Sequence, residues 1–424
     1  MNYAASQALA PLVRGLCINA AGKPRVVITG PADENIPPPA LIIDISSAWE
    51  EDHYNEETAA KVMHEAYAAW EFETAPGGAE AARPETGGKQ PSCIALKTNG
   101  TAGALFWVDR DIDAARKRKE ESNAALLEEN LPPEEATGIC PGAARADNRS
   151  NVVRNRISLV TGGAQGFGEE IVRGLAASGA LVYIADLNIE GAEKLAGKIN
   201  AAEKRTAAIP VKVNVAEEAS VEALFNTIAS TTGGLDLCVS NAGVLKAGSV
   251  LEQDVEAFKF VTGINYTGFF IISKHAGRLL RLQQRTALNW KTDIIQINSK
   301  SGLEGSNKNG AYAGGKFGGI GLTASFALEL IEYNIKVNAV CPGNFFDGPL
   351  WSDPEKGLFV QYLKAGKVPG ARTIADVKTF YEGKVPMKRG CTGPDVMRAI
   401  YYIVEQEYET GQAVPVTGGQ VMLH

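Results

Sequence analysis

A glycine-rich turn between two apolar segments constrains the fold of this 424-residue chain more than any other feature. Residues 157–161 (ISLVT) form a continuous apolar run that leads into GGAQGFG at 162–168. A helical pattern follows, with apolar residues at 171, 172, 175 and 176, and a second apolar run at 181–185 ends in Asp186. Strand, glycine turn, helix, strand and acid in this order predict a dinucleotide-binding unit, because glycines let the backbone approach a pyrophosphate at a helix amino terminus.

The acidic residue after the second strand indicates which dinucleotide is bound. Asp186 lies 18 residues beyond Gly168, where its carboxylate can accept hydrogen bonds from both ribose hydroxyls. Its charge would repel a 2′-phosphate, and the next two residues, Leu187 and Asn188, supply no cation to offset that repulsion. The sequence therefore favours NAD over NADP.

Short apolar runs and helical patterns continue to alternate along the chain. We predict further strands at 210–215, 235–240, 294–298 and 336–340, with helices near 218–231, 254–283 and 311–332. This alternation predicts an α/β fold, a Rossmann-type doubly wound parallel sheet, in which ligands bind at the carboxyl ends of the strands. Polar residues and glycines follow several of these strands: Asp186, Asn214, Asn241–Gly243, Ser299 and Pro342-Gly343.

A hydroxyl, a phenol and an amine follow the fifth predicted strand. Ser299 comes first, Tyr312 thirteen residues later and Lys316 four residues after that, so that Tyr312 and Lys316 share one face of a helix. An ammonium near a phenol lowers a pKa that is otherwise about 10. We predict that Tyr312 takes a proton from an alcohol near neutral pH while Ser299 holds the alcohol oxygen by a hydrogen bond.

From about residue 155 to residue 424 the chain resembles the short-chain dehydrogenase/reductase family. The resemblance rests on six motifs in the family's order: TGGAQGFG (161–168), SNAG (240–243), Asn265, Ser299, Tyr312-x-x-x-Lys316 and Pro342-Gly343. It implies hydride transfer between a secondary alcohol and a nicotinamide cofactor, with Asn265, Ser299, Tyr312 and Lys316 as catalytic residues. Asn265 would anchor a water that links Lys316 to solvent as a proton relay.

The resemblance also assigns the residues that bind the cofactor, including the glycine turn and the ends of several strands. They are Gly162, Gln165, Gly166, Phe167, Gly168, Asp186, Leu187, Asn214, Val215, Asn241, Ala242, Gly243, Tyr312, Lys316, Pro342, Gly343 and Phe345. Four positions depart from the family pattern: SNAG replaces the usual NNAG, and Thr417 stands where an Asp usually precedes the final Gly-Gly. Asn214 stands where an Asp is usual, and Asp347 stands where a Thr often meets the nicotinamide amide.

Within the family, four further runs resemble the sorbitol-6-phosphate 2-dehydrogenases: IIQINSKSG (294–302), KFGGIGLT (316–323), KVPMKRGC (384–391) and VTGGQVM (416–422). The implied reaction converts sorbitol 6-phosphate and NAD to fructose 6-phosphate and NADH, with tyrosine as the general base. One alternative is a dehydrogenase of an unphosphorylated polyol or another secondary alcohol. The other is a non-catalytic NAD-binding scaffold, which would not need to keep Ser299, Tyr312 and Lys316 together.

A phosphorylated substrate needs cations at the mouth of the cleft. Lys300 and Lys308 rank first because they lie between Ser299 and Tyr312, and Asn344 is a further candidate substrate ligand. Residues 344–390 are an insertion that we predict to be a substrate lid. Within it, Leu358, Phe359 and Tyr362 match one helical face, which indicates packing.

Residues 1–150 lie outside the resemblance, and we predict that they form a small α+β extension that packs on the catalytic domain or builds an interface. Predicted strands lie at 26–29, 41–45, 94–97 and 104–108, and predicted helices at 55–72 and 112–129. A flexible loop is expected at 75–91 and a linker at 132–142. This part carries 14 Lys and Arg against 23 Asp and Glu, which argues against nucleic acid as a partner.

The remaining composition excludes several classes of protein. Six cysteines without a CxxC pair and four scattered histidines give no metal-ligand spacing, so we expect no metal and reduced thiols. No apolar run approaches the roughly 20 residues that span a bilayer, and no signal peptide is recognisable. We therefore expect a cytoplasmic protein that binds neither a membrane nor nucleic acid.

The helix that carries Tyr312 is rich in small residues: Ala311, Gly314, Gly315, Gly318, Gly319 and Gly321. Glycine weakens a helix by roughly 1 kcal/mol relative to alanine, so a packing reason is expected. We predict a homodimer or homotetramer in which this helix packs on its symmetry mate. Close packing within one subunit is the alternative.

Overall fold

The computed structural model describes residues 9–15, 26–30, 40–44, 49–50, 53–54, 56–74, 93–98, 101–109, 112–117 and 148–422, apart from 288–289 and 365. The loop predicted at 75–91, the linker predicted at 132–142 and the second half of the helix predicted at 112–129 lie outside these residues. Within the described part of the chain, no helix is both long and apolar enough to cross a membrane.

The described part of the first 150 residues is a small α+β unit, as predicted. Its strands are β1 (Val26–Gly30), β2 (Ala40–Asp44), β3 (Trp49–Glu50), β4 (His53–Tyr54), β5 (Cys93–Thr98) and β6 (Thr101–Asp109), and its helices are α1 (9–15), α2 (Glu56–Thr74) and α3 (112–117). Four strands form a sheet in the order β1-β6-β5-β2, and β3 pairs with β4. The apolar face of α2 is buried with the sheet because Ala59 and Met63 share a cluster with Ile43, Ile94 and Phe106.

A parallel sheet forms the centre of the rest of the chain. Its strands are β7 (Ile157–Thr161), β8 (Leu181–Asp186), β9 (Ala208–Lys212), β10 (Leu237–Ser240), β11 (Thr292–Ile297), β12 (Ile335–Pro342) and β13 (Ala413–Val416). They lie in the order β13-β12-β11-β10-β7-β8-β9, and each neighbouring pair is parallel. The strand order reverses between β7 and β10, which is where such sheets bind dinucleotides.

Helices cover both faces of this sheet. They are α4 (Gly166–Ala177), α5 (Ile189–Glu203), α6 (Glu218–Thr232), α7 (Val255–Thr262), α8 (Gly268–Gln284), α9 (Gly310–Leu330), α10 (Pro349–Ser352), α11 (Leu358–Lys364), α12 (Ile374–Gly383) and α13 (Gly393–Glu405). In β8, Tyr183 packs with α6 and α8 on one face while Val182 and Ile184 pack with α4 and α13 on the other. Both faces are therefore buried, which confirms the predicted Rossmann-type doubly wound sheet.

Several elements differ from the predictions; helices α1 and α5 were not predicted, and three further differences have a clear physical reason. The helix expected over 254–283 is divided by a π-helical turn at Gly263–Thr267, because the wider turn accommodates one extra residue. The strand predicted at 210–215 starts and ends earlier, at Ala208–Lys212, and tolerates Pro210 because β9 is an edge strand. Strand β13 was not predicted, because a strand of only four residues at the other edge of the sheet gives too weak a hydrophobic pattern.

The predicted lid segment, 344–390, has an apolar core of its own. Phe346, Trp351 and Phe359 are buried together with Val368, Val377 and Val385. Tyr362 and Leu358 pack against this cluster, as their helical spacing predicted. The two ends of the segment are held together where the Cys391 amide donates to the Asn344 carbonyl, 2.8 Å away.

Candidate active site

The glycine turn after β7 depends on the absence of side chains at specific positions. Gly162 has φ +61°, its amide donates to the Ala185 carbonyl at 2.8 Å, and an added Cβ would lie 2.8 Å from Ala242 Cα. A Cβ on Gly168 would overlap the Gly162 carbonyl oxygen, so the helix start and the turn touch through backbone atoms. The close approach that the sequence predicts is therefore present.

The outer side of the turn is open. Gly166 has φ +60°, and the nearest atom to its Cβ position is Pro349 Cδ at 4.0 Å. The Gln165 side chain does not cap the amino terminus of α4. The first backbone amides of α4 therefore keep their hydrogen-bonding capacity for an anion. The turn thus has the space and the donors that a dinucleotide pyrophosphate requires.

Asp186 lies at the carboxyl end of β8, beside the turn. Its Oδ2 accepts from the Ala164 amide and its Oδ1 from the Asn188 amide, each at 2.9 Å. The neighbouring Leu187 is 63% exposed, and Asn188 caps α5 by accepting from the Gly191 amide. The carboxylate is therefore held at the sheet edge by backbone amides, where a ribose can reach it.

The ends of β9 and β10 complete the predicted cofactor side. Asn241 donates through Nδ2 to the carbonyls of Thr161 and Gly162 at 3.0 and 2.9 Å, which ties the Asn241–Gly243 turn to the glycine turn. Asn214 donates to Glu217 Oε1, and Val215 beside it is buried. Thr161, whose hydroxyl accepts from the Asn241 and Ala242 amides, was not predicted as a site residue.

The predicted catalytic side chains meet at the carboxyl end of β11. The Ser299 hydroxyl lies near enough to the Tyr312 phenol to oppose the rise in its pKa, and Lys316 Nζ lies 5.6 Å from the centroid of the Tyr312 ring. Ser299 Oγ also accepts from the Ser301 amide at 3.1 Å, which holds the hydroxyl at the strand end. Lys316 is only 5% exposed and donates to the Ile297 carbonyl at 2.8 Å.

The pKa values of this pair differ from the sequence-based expectation. Burial raises the pKa of Tyr312 above its usual 10, and the hydrogen bond to Ser299 opposes that rise. Burial also lowers the pKa of Lys316 to about 8. The expected lowering of the Tyr312 pKa by Lys316 is absent because burial disfavours both charged forms, the phenolate and the ammonium.

Asn265 lies in the π-helical turn between α7 and α8 and is buried. Its Nδ2 donates to the Val244 carbonyl at 2.8 Å, and its Oδ1 accepts from the Val244 amide at 2.9 Å. The Cβ position of Gly243 lies 3.0 Å from Asn265 Oδ1 and 3.8 Å from Lys316 Nζ. Asn265 therefore joins the Asn241–Gly243 turn to the lysine end of the site.

Asn298 supports the catalytic residues, although sequence reasoning did not select it. Its Nδ2 donates to the Lys316 carbonyl at 2.9 Å and its Oδ1 accepts from the Ser299 amide at 2.8 Å. An asparagine at the end of a predicted strand, directly before Ser299, is the sequence signal that could have identified it.

The segment after β12 closes the cofactor side of the cleft. The Gly343 amide, next to Pro342, donates to the Val416 carbonyl at 2.9 Å. The Phe345 ring stacks on Phe167 of the glycine turn, with centroids 4.4 Å apart. Asp347 is exposed and accepts from Lys378 of α12 at 2.6 Å, so this carboxylate pairs within the 344–390 segment.

The two lysines selected for a substrate phosphate differ in environment. Lys300 Nζ pairs with Glu304 Oε1 at 3.0 Å. Lys308 is exposed, has φ +55°, and its carbonyl accepts from the Gly248 amide. Lys308 is thus the more accessible of the two cations, whereas Lys300 is partly neutralised by its neighbour.

Comparison with known proteins adds an independent line of evidence. A family model described as short chain dehydrogenase matches residues 156–351. Sorbitol-6-phosphate 2-dehydrogenase of Escherichia coli (strain K12) is 36% identical over 271 residues, which are 63% of this chain and 99% of that protein. Meso-2,3-butanediol dehydrogenase of Serratia marcescens is 28% identical over 254 residues, 57% of this chain and 96% of that protein.

A solved structure agrees with these relatives. The crystal structure of sorbitol-6-phosphate 2-dehydrogenase from Erwinia amylovora matches with a TM-score of 0.57 and 38% identity, covering 63% of this chain and 100% of that one. These relatives match over nearly their whole length, and the N-terminal extension lies outside the match.

Proposed function

Because this chain belongs to the short-chain dehydrogenase family, we propose that it is an NAD-dependent oxidoreductase that interconverts sorbitol 6-phosphate and fructose 6-phosphate. The observation that carries this proposal is the meeting of Ser299, Tyr312 and Lys316 at the sheet edge that also holds the open glycine turn. The similarity to sorbitol-6-phosphate 2-dehydrogenases supports the choice of substrate.

The roles of the catalytic residues follow from their contacts. In the oxidative direction, the substrate hydroxyl would lie between Ser299 and Tyr312, so that Ser299 holds the oxygen while Tyr312 takes its proton. A bound nicotinamide supplies the hydride acceptor for the carbon that bears this hydroxyl. Lys316 would bind ribose hydroxyls of the cofactor, and Asn265 lies where a proton relay from Lys316 toward solvent would begin.

The preference for NAD is part of the proposal and depends on Asp186. Its carboxylate is already held by two backbone amides and cannot turn away from an incoming ribose without losing them. Two ribose hydroxyls can donate to it, whereas a 2′-phosphate would meet like charge. The exposed Leu187 beside it adds no cation.

The phosphate of the substrate is the least constrained part of the proposal. Lys308 is exposed in the loop between Ser299 and Tyr312 and offers a cation to a phosphate, with Asn344 as a second ligand. Lys300 is held by Glu304 at 3.0 Å, an arrangement that favours the second candidate substrate class, an unphosphorylated polyol or other secondary alcohol. Sorbitol 6-phosphate and sorbitol therefore have to be compared directly.

The accessible face of α9 supports a homo-oligomer, either a dimer or a tetramer. Gly315, Gly318 and Gly319 pack within the subunit, where added Cβ atoms would meet Asn265, Tyr266 and Gln296. Five of the exposed residues of the helix form a separate stripe of small and apolar side chains: Gly314, Phe317, Gly321, Ala324 and Leu328. This stripe is the surface that we propose to pack against a second copy.

Free, buried thiols at Cys238, Cys341 and Cys391 suit a reducing compartment, which supports the proposed cytoplasmic location.

A substrate panel tests the proposed function. NADH or NADPH formation is measured with sorbitol 6-phosphate, sorbitol and 2,3-butanediol, each with NAD and with NADP, for wild type and Tyr312→Phe. We expect kcat/KM to be highest for sorbitol 6-phosphate with NAD, and Tyr312→Phe to lose at least about 100-fold while still binding NADH. Equal turnover by Tyr312→Phe would remove the catalytic assignment, and a preference for sorbitol would favour the unphosphorylated alternative.

A further inference from the structure

Helix α1 is buried along its whole length, although it precedes the catalytic domain by more than 130 residues. All seven of its residues, from Leu9 to Gly15, are inaccessible to solvent, and Leu282 of α8 packs against the cluster that Leu9, Leu12 and Val13 enter. An arginine within such a helix requires partners, because a buried charge without them is strongly destabilising. Arg14 is fully buried, so its partners indicate what this helix binds.

The partners of Arg14 belong to the catalytic domain. Its NH2 donates to Asp236 Oδ2 and its NH1 to Gln283 Oε1, each at 2.7 Å, and NH1 also lies 3.5 Å from the Leu235 carbonyl. Asp236 is itself fully buried, so the ion pair is shielded from water on both sides. Removing one member of such a pair strongly destabilises the folded protein, because the other charge stays buried without its partner.

Asp236 also organises the strands around it. Its Oδ2 accepts from the Ile157 amide at 2.7 Å and its Oδ1 from Trp290 Nε1 at 3.0 Å. Ile157 begins β7 and Asp236 directly precedes β10, so the ion pair lies at the amino ends of the two strands whose carboxyl ends hold the cofactor turns. Arg14 therefore binds at the amino ends of the strands, at the opposite end of the sheet from the active site.

Further contacts support the same attachment. The Thr286 hydroxyl donates to the Leu12 carbonyl at 2.7 Å. A Cβ on Gly15 would overlap Gln283 O and Thr286 Oγ1, so the backbone of α1 touches α8 directly. Helix α3 adds a second site, where Asp113 accepts from the Thr206 amide and hydroxyl at 2.8 and 2.7 Å.

We infer that the amino edge of the catalytic sheet is a binding site for the chain's own N-terminal segment, with Arg14 as the group that it recognises. The N-terminal extension then stays bound to the catalytic domain through non-covalent contacts, independently of the peptide connection between them. This inference does not depend on which substrate the enzyme uses. Asp236 accepts hydrogen bonds both from Arg14 and from the first residue of β7, so the attachment is part of the catalytic fold.

The inference is tested on the full-length protein with a specific protease site inserted between residues 130 and 140. After cleavage, the affinity of the two fragments is measured from their co-elution over a dilution series. We expect the wild-type fragments to remain associated. Arg14→Met should weaken the association at least about 100-fold, and Arg14→Lys should lose less, because lysine keeps the charge but not the forked donors.

A further variant tests the same attachment if Arg14→Met does not fold, and another serves as a control. Thr286→Val keeps the volume but removes the hydrogen bond to Leu12, and should weaken fragment association about fivefold. Arg398→Met removes an arginine that is 69% exposed and should leave the association unchanged. Separation of the wild-type fragments on cleavage, or wild-type affinity in Thr286→Val and Arg14→Met, would overturn the inference.

Discussion

The Lys316 ammonium lies 5.6 Å from the centre of the Tyr312 ring and donates its hydrogen bond to the Ile297 carbonyl. The side chain is thus positioned by the strand before Ser299, independently of the phenol that it is expected to assist. Lys316 is buried and Tyr312 is half-buried, and this burial raises the pKa of Tyr312 and lowers the pKa of Lys316 to about 8. This geometry makes the site sensitive to pH in a way that can be measured.

Stability should depend on pH through Lys316. Its pKa is about 8 in the folded protein and about 10.5 in the unfolded chain, so between these values the unfolded state binds more protons. The free energy of unfolding should therefore rise by about 2 kcal/mol from pH 7.5 to 9.5 in wild type relative to Lys316→Met. Chemical denaturation of both proteins at the two pH values measures this difference. Parallel pH profiles would mean that burial does not perturb Lys316.

Replacing Ser299 by alanine should impair chemistry more than binding. The hydroxyl lies near the Tyr312 phenol and would hold the substrate oxygen, so its loss should lower kcat by about 100- to 1000-fold. NADH affinity, measured by fluorescence titration, should change little. Ser301→Ala is the matched control, because its side chain is buried two residues away and kcat should stay near wild type.

The cofactor preference should shift when Asp186 loses its charge. Asp186→Asn keeps the size of the side chain and removes the repulsion of a 2′-phosphate, so the ratio of kcat/KM for NADP to that for NAD should rise about tenfold or more. Steady-state kinetics with both cofactors measure the ratio. Glu190→Gln, an exposed carboxylate in the first turn of α5, should leave it unchanged. An unchanged ratio in Asp186→Asn would remove this residue from cofactor selection.

Two glycine-to-alanine substitutions should have opposite effects. A methyl group on Gly318 would lie 2.7 Å from Tyr266 Cε2, so the ring beside Asn265 must move and the protein should lose about 1–3 kcal/mol of stability. Gly197 of α5 has no atom within 4 Å of its Cβ position, and Gly197→Ala should stabilise by about 1 kcal/mol. Thermal or chemical unfolding gives both values. Equal effects would show that α9 does not require close approach at Gly318.

The exposed stripe of α9 should govern assembly. Leu328 is 82% exposed, so Leu328→Glu should leave the fold of a subunit intact and reduce the oligomeric mass measured by light scattering. Tyr408→Glu alters a fully exposed side chain outside the stripe and should keep the wild-type mass. A wild-type protein with the mass of a single 45.0 kDa chain would end the proposal of an oligomer.

Helix α9 illustrates how far sequence reasoning reaches. Its small residues indicate close packing, but spacing alone cannot distinguish a neighbouring subunit from the subunit's own π-helical turn. In the structure, Gly315 and Gly318 pack against the π-helical turn and Gly319 packs against Gln296. Gly314 and Gly321 have no atom within 4 Å of their Cβ positions. The break in the helix predicted over 254–283 was missed for a related reason, since one extra residue in a turn barely disturbs an apolar period.

Local sequence was sufficient for the alternation of strands and helices, the glycine turn and the selection of Ser299, Tyr312 and Lys316, because each depends on residues close together in the chain. Burial is different, since it depends on what other segments cover. Folding alone therefore decided the pKa shifts of Tyr312 and Lys316 and the partners of Arg14, which lie 222 and 269 residues away. The periodicity of the sequence could not predict that ion pair, because the partners of a buried charge are distant in the chain and only folding brings them to it.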